Sequence, residues 1–260
     1  MKKFPYLLLI LGLVIVGLGY VKINMQKGDP MKKHSDIFPH EPVTNQENSA
    51  LYAQVMAADH VFEATYKPQP SMFARKKAAV LTCMDPRLTP QEFMGFKSGD
   101  MFIIRNAGGR ASDDALRSLI VGYKLLRVEE IFVIHHTDCG MQKFNKEVMN
   151  DLLRVTSAPA RLVKDCEAGI SSVYEKDACQ WQNPENECVH QSSQLPAIDW
   201  LTIEHGLFKS VREDVEKIRN HPLIPSNIPI YGLIFNVMTG ELIPVPEAMQ
   251  VGRAIPLVCK

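Results

Sequence analysis

An α/β fold built on a mostly parallel sheet is predicted by three features of the 260-residue chain. Residues 78–83 and 131–135 are apolar, partly β-branched runs, as strands covered on both faces require. Between them, residues 113–127 repeat Leu116, Leu119, Ile120, Tyr123 and Leu126 at helical spacing. Both runs end abruptly in groups that bind metal or move protons, and open α/β sheets carry their sites at those strand ends.

Taken in order, Lys2 and Lys3 precede an uncharged, almost wholly apolar run over residues 5–21. It falls between the apolar core of a signal peptide, about 7 to 15 residues, and a spanning helix, about 17 to 25. Residues 1–23 are therefore expected to be an uncleaved membrane anchor or a cleaved signal for the secretory pathway. Lysines flank both ends, so the side of the membrane is left undecided. Residues 24–45 hold Pro30, Pro39 and Pro42 among mixed charges without a period, and read as a linker.

Residues 46–260 read as one domain that opens with a helical arm over 46–66, where Leu51, Val55, Ala58, Phe62 and Tyr66 recur at steps of three and four. The strand over 78–83, a short helix over 90–95 and a strand over 101–105 come next. Gly108 and Gly109 then allow a tight backbone passage, and the helix over 113–127 leads into the strand over 131–135. A polar, cysteine-containing segment over about 157–194 is too long for an ordinary connection and reads as a surface insert. A helix over 207–219 returns to the core, and residues 229–235 and 241–245 form a strand and its hairpin partner. The tail after Val245 carries no strong signal beyond Cys259.

The chemistry lies at two strand ends. Alternate side chains of an extended segment share a face, so Cys83, Asp85 and Arg87 are expected to project together. If a helix begins at His136, Cys139 lies on the same side of its first turn, and the two can grip one ion. Two Cys and one His, with room for a fourth ligand, match an open, catalytic zinc site better than a closed structural one. His135 faces the other way and is expected to be a hydrogen-bonded structural residue. Asp138 reads as a helix cap or a solvent-facing group, not a ligand.

The segments Cys83-Met84-Asp85-Pro86-Arg87 and His135-His136-Thr137-Asp138-Cys139-Gly140-Met141, with Arg105-Asn106-Ala107-Gly108 between them, resemble the β-class carbonic anhydrases, in particular the smaller bacterial and fungal members. The likeness resumes at residues 210–215 and 232–242. It implies one Zn2+ per chain on Cys83, His136 and Cys139, and reversible hydration of carbon dioxide to bicarbonate through a zinc-bound hydroxide. Asp85 would orient the hydroxide and Arg87 would hold Asp85; in a closed state Asp85 would itself be the fourth ligand. The resemblance also implies a homodimer or homotetramer in which helical arms embrace the partner, with Arg105 pairing with a carboxylate near the subunit boundary. Relatives with the same ligands hydrolyse carbonyl sulfide or carbon disulfide, so that substrate class stands as the alternative. A non-catalytic zinc-binding or thiol module is disfavoured by the retention of Asp85 and Arg87 and by the lack of a C-x-x-C.

Lys plus Arg equals Asp plus Glu at 29 each, so no global charge recommends nucleic acid as a partner. The Gly108-Gly109 pair lacks the longer glycine fingerprint of nucleotide sites. Cys166, Cys179, Cys188 and Cys259 are even in number and, after an export or anchor segment, are expected to form disulfides, with three pairings open.

Overall fold

The computed structural model describes residues 49–69, 71–143, 145–155, 159–164, 179–183 and 199–256. Its larger sheet contains β1 (Ala78–Cys83), β2 (Met101–Asn106), β3 (Glu130–His136), β6 (Ile230–Phe235) and β7 (Leu242–Pro244); β4 (Arg161–Lys164) and β5 (Gln180–Gln182) form a separate antiparallel pair. The larger sheet runs β2-β1-β3-β6-β7, parallel throughout except for the antiparallel β7 at one edge. All six residues of β1 are buried, as its central place demands, and the parallel register sets Cys83 beside Asn106 and His136 beside Phe235.

Six α-helices accompany these strands among the described residues: α1 (Ala50–Thr65), α2 (Pro90–Phe93), α3 (Asp113–Leu126), α4 (Lys146–Val155), α5 (Leu207–Arg219) and α6 (Pro246–Val251). The start of α3 is fixed by Ser112, whose hydroxyl accepts from the Ala115 N–H, with Asp113 and Asp114 in the first turn. Its end is fixed by Arg127 in the left-handed region at φ 61°. In α5, Leu207, Val211, Val215 and Ile218 form the apolar stripe against the sheet, and Ser210 and Asp214 are buried with them. Gly232 on β6 permits this approach, because an added Cβ would collide with Ala248 and Val211. Neither α4 nor α6 carries an expectation from sequence.

The chain divides into two compact units, Met1–Tyr66 and Lys67–Lys260. In the first, α1 is capped by the Ser49 hydroxyl and leaves Leu51, Val55, Val61 and Phe62 exposed. The expected membrane anchor is corrected: among the described residues no helix is long and apolar enough to cross a membrane. The 16 residues of α1 rise only about 24 Å against a hydrocarbon thickness of about 30 Å, and they include Asp59, His60 and Glu63. The apolar run over 5–21 and the linker over 24–45 lie outside the described residues, as do Cys166, Cys188 and Cys259. Cys179 is buried and disulfide-bonded.

Candidate metal centre

Two parallel strand ends and the turn after one of them converge on one point. β1 ends at Cys83 and β3 at His136, and the turn after β3 brings back Cys139. The expected helix start at His136 is replaced by a tight turn: Asp138 sits in the left-handed region at φ 54°, and a short 3-10 helix, Gly140–Gln142, begins only after Cys139. That reversal, not helical periodicity, sets His136 and Cys139 side by side. The Cys83 and Cys139 sulfurs are 4.0 Å apart, and with a His136 ring nitrogen the three ligand atoms lie within 4.8 Å of one another. All three residues are buried. Gly109, at φ 69°, packs so closely on the end of β1 that an added Cβ would stand 2.8 Å from the Cys83 amide nitrogen. Arg105 secures the same end, donating from Nε to the Cys83 carbonyl at 3.1 Å and from Nη2 to the Asp85 carbonyl at 2.6 Å.

His136 Nδ1 lies 2.9 Å from the Thr137 carbonyl, which can only accept, so Nδ1 carries the proton and Nε2 is left with its lone pair. That Nε2 is fully buried and has no hydrogen-bond partner. A buried acceptor without a donor is costly, and its placement against two thiols fits a tetrahedral metal with two sulfur donors and one nitrogen, of which zinc is the commonest. The two sulfurs stand within hydrogen-bonding reach of each other at 4.0 Å, and either can donate. The hydrogen bond from Cys139 draws the Cys83 pKa down against the opposing effect of burial, while its bond to Cys83 and its own burial push Cys139 up. Metal binding would require both thiols to give up their protons.

Beside the cluster, Asp85 and Arg87 form a two-pronged pair: Arg87 Nε donates to Asp85 Oδ1 at 2.9 Å and Nη2 to Oδ2 at 2.8 Å, and the Arg87 amide adds a bond to Oδ1 at 2.9 Å. These bonds hold the Asp85 carboxyl down at about 2. Asp85 Oδ2 is also 3.8 Å from His136 Nε2, so an ionised oxygen borders the buried cluster.

A family model described as carbonic anhydrase matches residues 78–242, a span that contains every residue of this constellation. The chain belongs to the β-carbonic anhydrase family. It is 30% identical over 167 residues to beta-carbonic anhydrase 1 of Mycobacterium tuberculosis, covering 64% of this chain and 80% of that protein. It is 34% identical over 169 residues to the carbon disulfide hydrolase of an Acidianus strain, covering 63% and 74%. Among solved structures, the carbonic anhydrase from Glaciozyma antarctica superposes with a TM-score of 0.57 at 30% identity, over 76% of this chain and 99% of that one.

Within this family member, Cys83, His136, Cys139, Asp85 and Arg87 all meet at one site. His135 faces the opposite side of β3, where its ring nitrogens lie 2.9 Å from Ser210 Oγ and 3.0 Å from Asp214 Oδ2. Asp214 also accepts from Arg110 Nε at 2.7 Å. Burial pushes the Asp214 carboxyl up, but His135 and Arg110 more than offset it and the net direction is down. Of the two roles expected for Asp138, the helix cap is not formed, while its side chain is 43% exposed. Its carboxylate accepts from Arg87 Nη1 at 2.8 Å and pairs with Lys143 Nζ at 3.1 Å. No spacing rule relates Asp138 to Arg87, 51 residues earlier; the nearest sequence signal was a carboxylate lodged between two expected ligands.

Proposed function

We propose that this protein is a carbonic anhydrase, interconverting carbon dioxide and bicarbonate at one zinc ion per chain held by Cys83, His136 and Cys139. The observation that carries this reading is the buried, partnerless Nε2 of His136 facing two thiol sulfurs. Zinc in such a site would supply a Lewis acid that turns water into a nucleophile. The chain's own residues supply the rest. Cys83 and Cys139, as thiolates, balance the charge of a divalent ion, and the bond from His136 Nδ1 to the Thr137 carbonyl fixes the ring. Asp85 stays ionised through the working pH range, and its Oδ2, turned toward the cluster, accepts a hydrogen bond from the attacking water and orients it. Arg87 holds Asp85 by the two-pronged pair. Released from Arg87, the same oxygen would be near enough to serve as a fourth ligand and close the site.

Assembly as a homodimer or homotetramer belongs to the same reading, since Leu51, Val55 and Phe62 on α1 offer an exposed apolar surface for a partner to cover. Pairing of Cys166, Cys179, Cys188 and Cys259 outside the metal centre is proposed with it.

The test is stopped-flow carbon dioxide hydration on the full chain, with and without a zinc chelator, beside metal analysis. Chelator-sensitive hydration with one zinc per chain is expected. Because one relative is a carbon disulfide hydrolase, sulfide release from carbon disulfide is measured in parallel; sulfide release without hydration would replace the substrate. Zinc binding with neither activity would leave a binding module.

A further inference from the structure

Arg87 carries two separate loads. One edge of its guanidinium, Nε and Nη2, meets both oxygens of Asp85. Its remaining donor, Nη1, meets Asp138 Oδ2 at 2.8 Å, and Nη2 also reaches the Asp138 carbonyl at 2.9 Å. The Arg87 side chain is 43% exposed, so burial alone does not confine it. A lone exposed pair with Asp85 would compete with water and with the rotamer freedom of a long side chain. A second carboxylate, on the loop from the neighbouring strand, removes that freedom. Asp138 is aimed in turn by its left-handed backbone at φ 54° and by Lys143 Nζ at 3.1 Å. The carbonyl of Lys143 accepts from the Trp181 indole at 3.0 Å, which ties this segment to the insert.

We infer that Asp138, braced by Lys143, is a positioning residue that clamps Arg87 onto Asp85. The inference builds on the proposed function, in which Arg87 must hold Asp85, but the clamp itself can be measured without catalysis. Being part of the turn that carries Cys139, Asp138 joins the two halves of the site: a shift of that loop is transmitted to Arg87, and from it to Asp85.

The test uses the full chain and the variants Asp138→Gly and Asp138→Asn, both of which tolerate a positive φ. Gly removes the carboxylate; Asn removes only its charge and keeps the shape if the Gly variant does not fold. The first readout is hydrogen exchange of the Arg87 Nε–H, observed by nitrogen-15 resonance and assigned by its loss in Arg87→Lys. Exchange about tenfold faster in Asp138→Gly, and intermediate in Asp138→Asn, is expected. The second is hydration: kcat about tenfold lower with KM and zinc content held, and no further loss when Asp138→Gly is added to Arg87→Ala, since residues acting through one another are non-additive. Unchanged Nε–H exchange would overturn the clamp, and so would an equal loss of kcat in both backgrounds, which marks a merely structural role. Absence of hydration and zinc in the parent would defeat the proposed function while leaving the exchange result to decide the clamp.

Discussion

Asp214→Asn tests whether the buried Arg110–Asp214–His135 group is a structural strut behind the metal centre. Asp214 and Arg110 side chains are 3% and 8% exposed, and one oxygen, Oδ2, serves both Arg110 Nε at 2.7 Å and His135 Nε2 at 3.0 Å. Removing one partner of a buried pair costs about 3 to 5 kcal/mol, because the other charge stays buried. The lower end applies, since Arg110 still has Glu213 at 3.7 Å and the Leu201 and Thr202 carbonyls at 3.0 Å. For a unit of this size each kcal/mol moves Tm by about 2 to 4 °C, so a fall of about 6 to 12 °C is expected. Thermal unfolding at fixed protein concentration and fixed metal content measures it. The pH dependence follows in sign. Neighbours hold the folded Asp214 carboxyl below its ordinary value, so the unfolded chain binds its proton more readily. The contribution is therefore present above about pH 4, the unfolded value, and is lost as pH falls through the folded one. Parent and variant should converge at strongly acidic pH. A difference below about 2 °C at neutral pH, or one that persists unchanged in acid, would refute the strut. Ser210→Ala gives the complementary check: Ser210, His135 and Asp214 have the composition of a hydrolytic triad, but all three are buried, so hydration should survive that change.

Other outcomes follow from the same geometry. Cys83→Ser or Cys139→Ser should reduce bound metal well below the parent by metal analysis, whereas Ser at Cys166, Cys179, Cys188 and Cys259 should leave one zinc per chain and lower stability by about 2 to 5 kcal/mol for a lost disulfide; two zinc ions in the parent would contradict the single site. Asp85→Asn should slow hydration by about 10² to 10⁴ with zinc retained, measured by stopped flow. Two thiolates offset the charge of the ion, so the parent's rate should climb toward alkaline pH, and a profile flat from neutral to alkaline pH would count against that charge argument. Gly109→Ala meets both a positive φ of 69° and the Cys83 backbone at 2.8 Å; a drop in chemical denaturation midpoint together with weaker metal retention is expected.

The sequence by itself determined the strands of the larger sheet and picked out the three residues that meet at the site. Residues 78–83 and 230–235 are apolar over short lengths because the middle of a parallel sheet is covered on both faces, and that composition is a local property. The period of α5 is equally local, since the core selects every third or fourth residue. Cys83, His136 and Cys139 could be picked out because few residue types bind a soft divalent ion. What tertiary structure decided were the choices of partner. Asp138 had several roles open to its carboxylate, and the approach of Arg87 from another strand end, with the left-handed turn that aims it, selected one. Arg110 found Asp214 104 residues away through the docking of α5 on β3. The strands of the insert, β4 and β5, carry little core burial and hence little periodicity, so their pairing and the bond from Trp181 to Lys143 could not be read along the chain. Periodicity records which side of an element faces the core; it holds no term for which distant charge will stand opposite a given one, because that depends on how the strand ends are brought together.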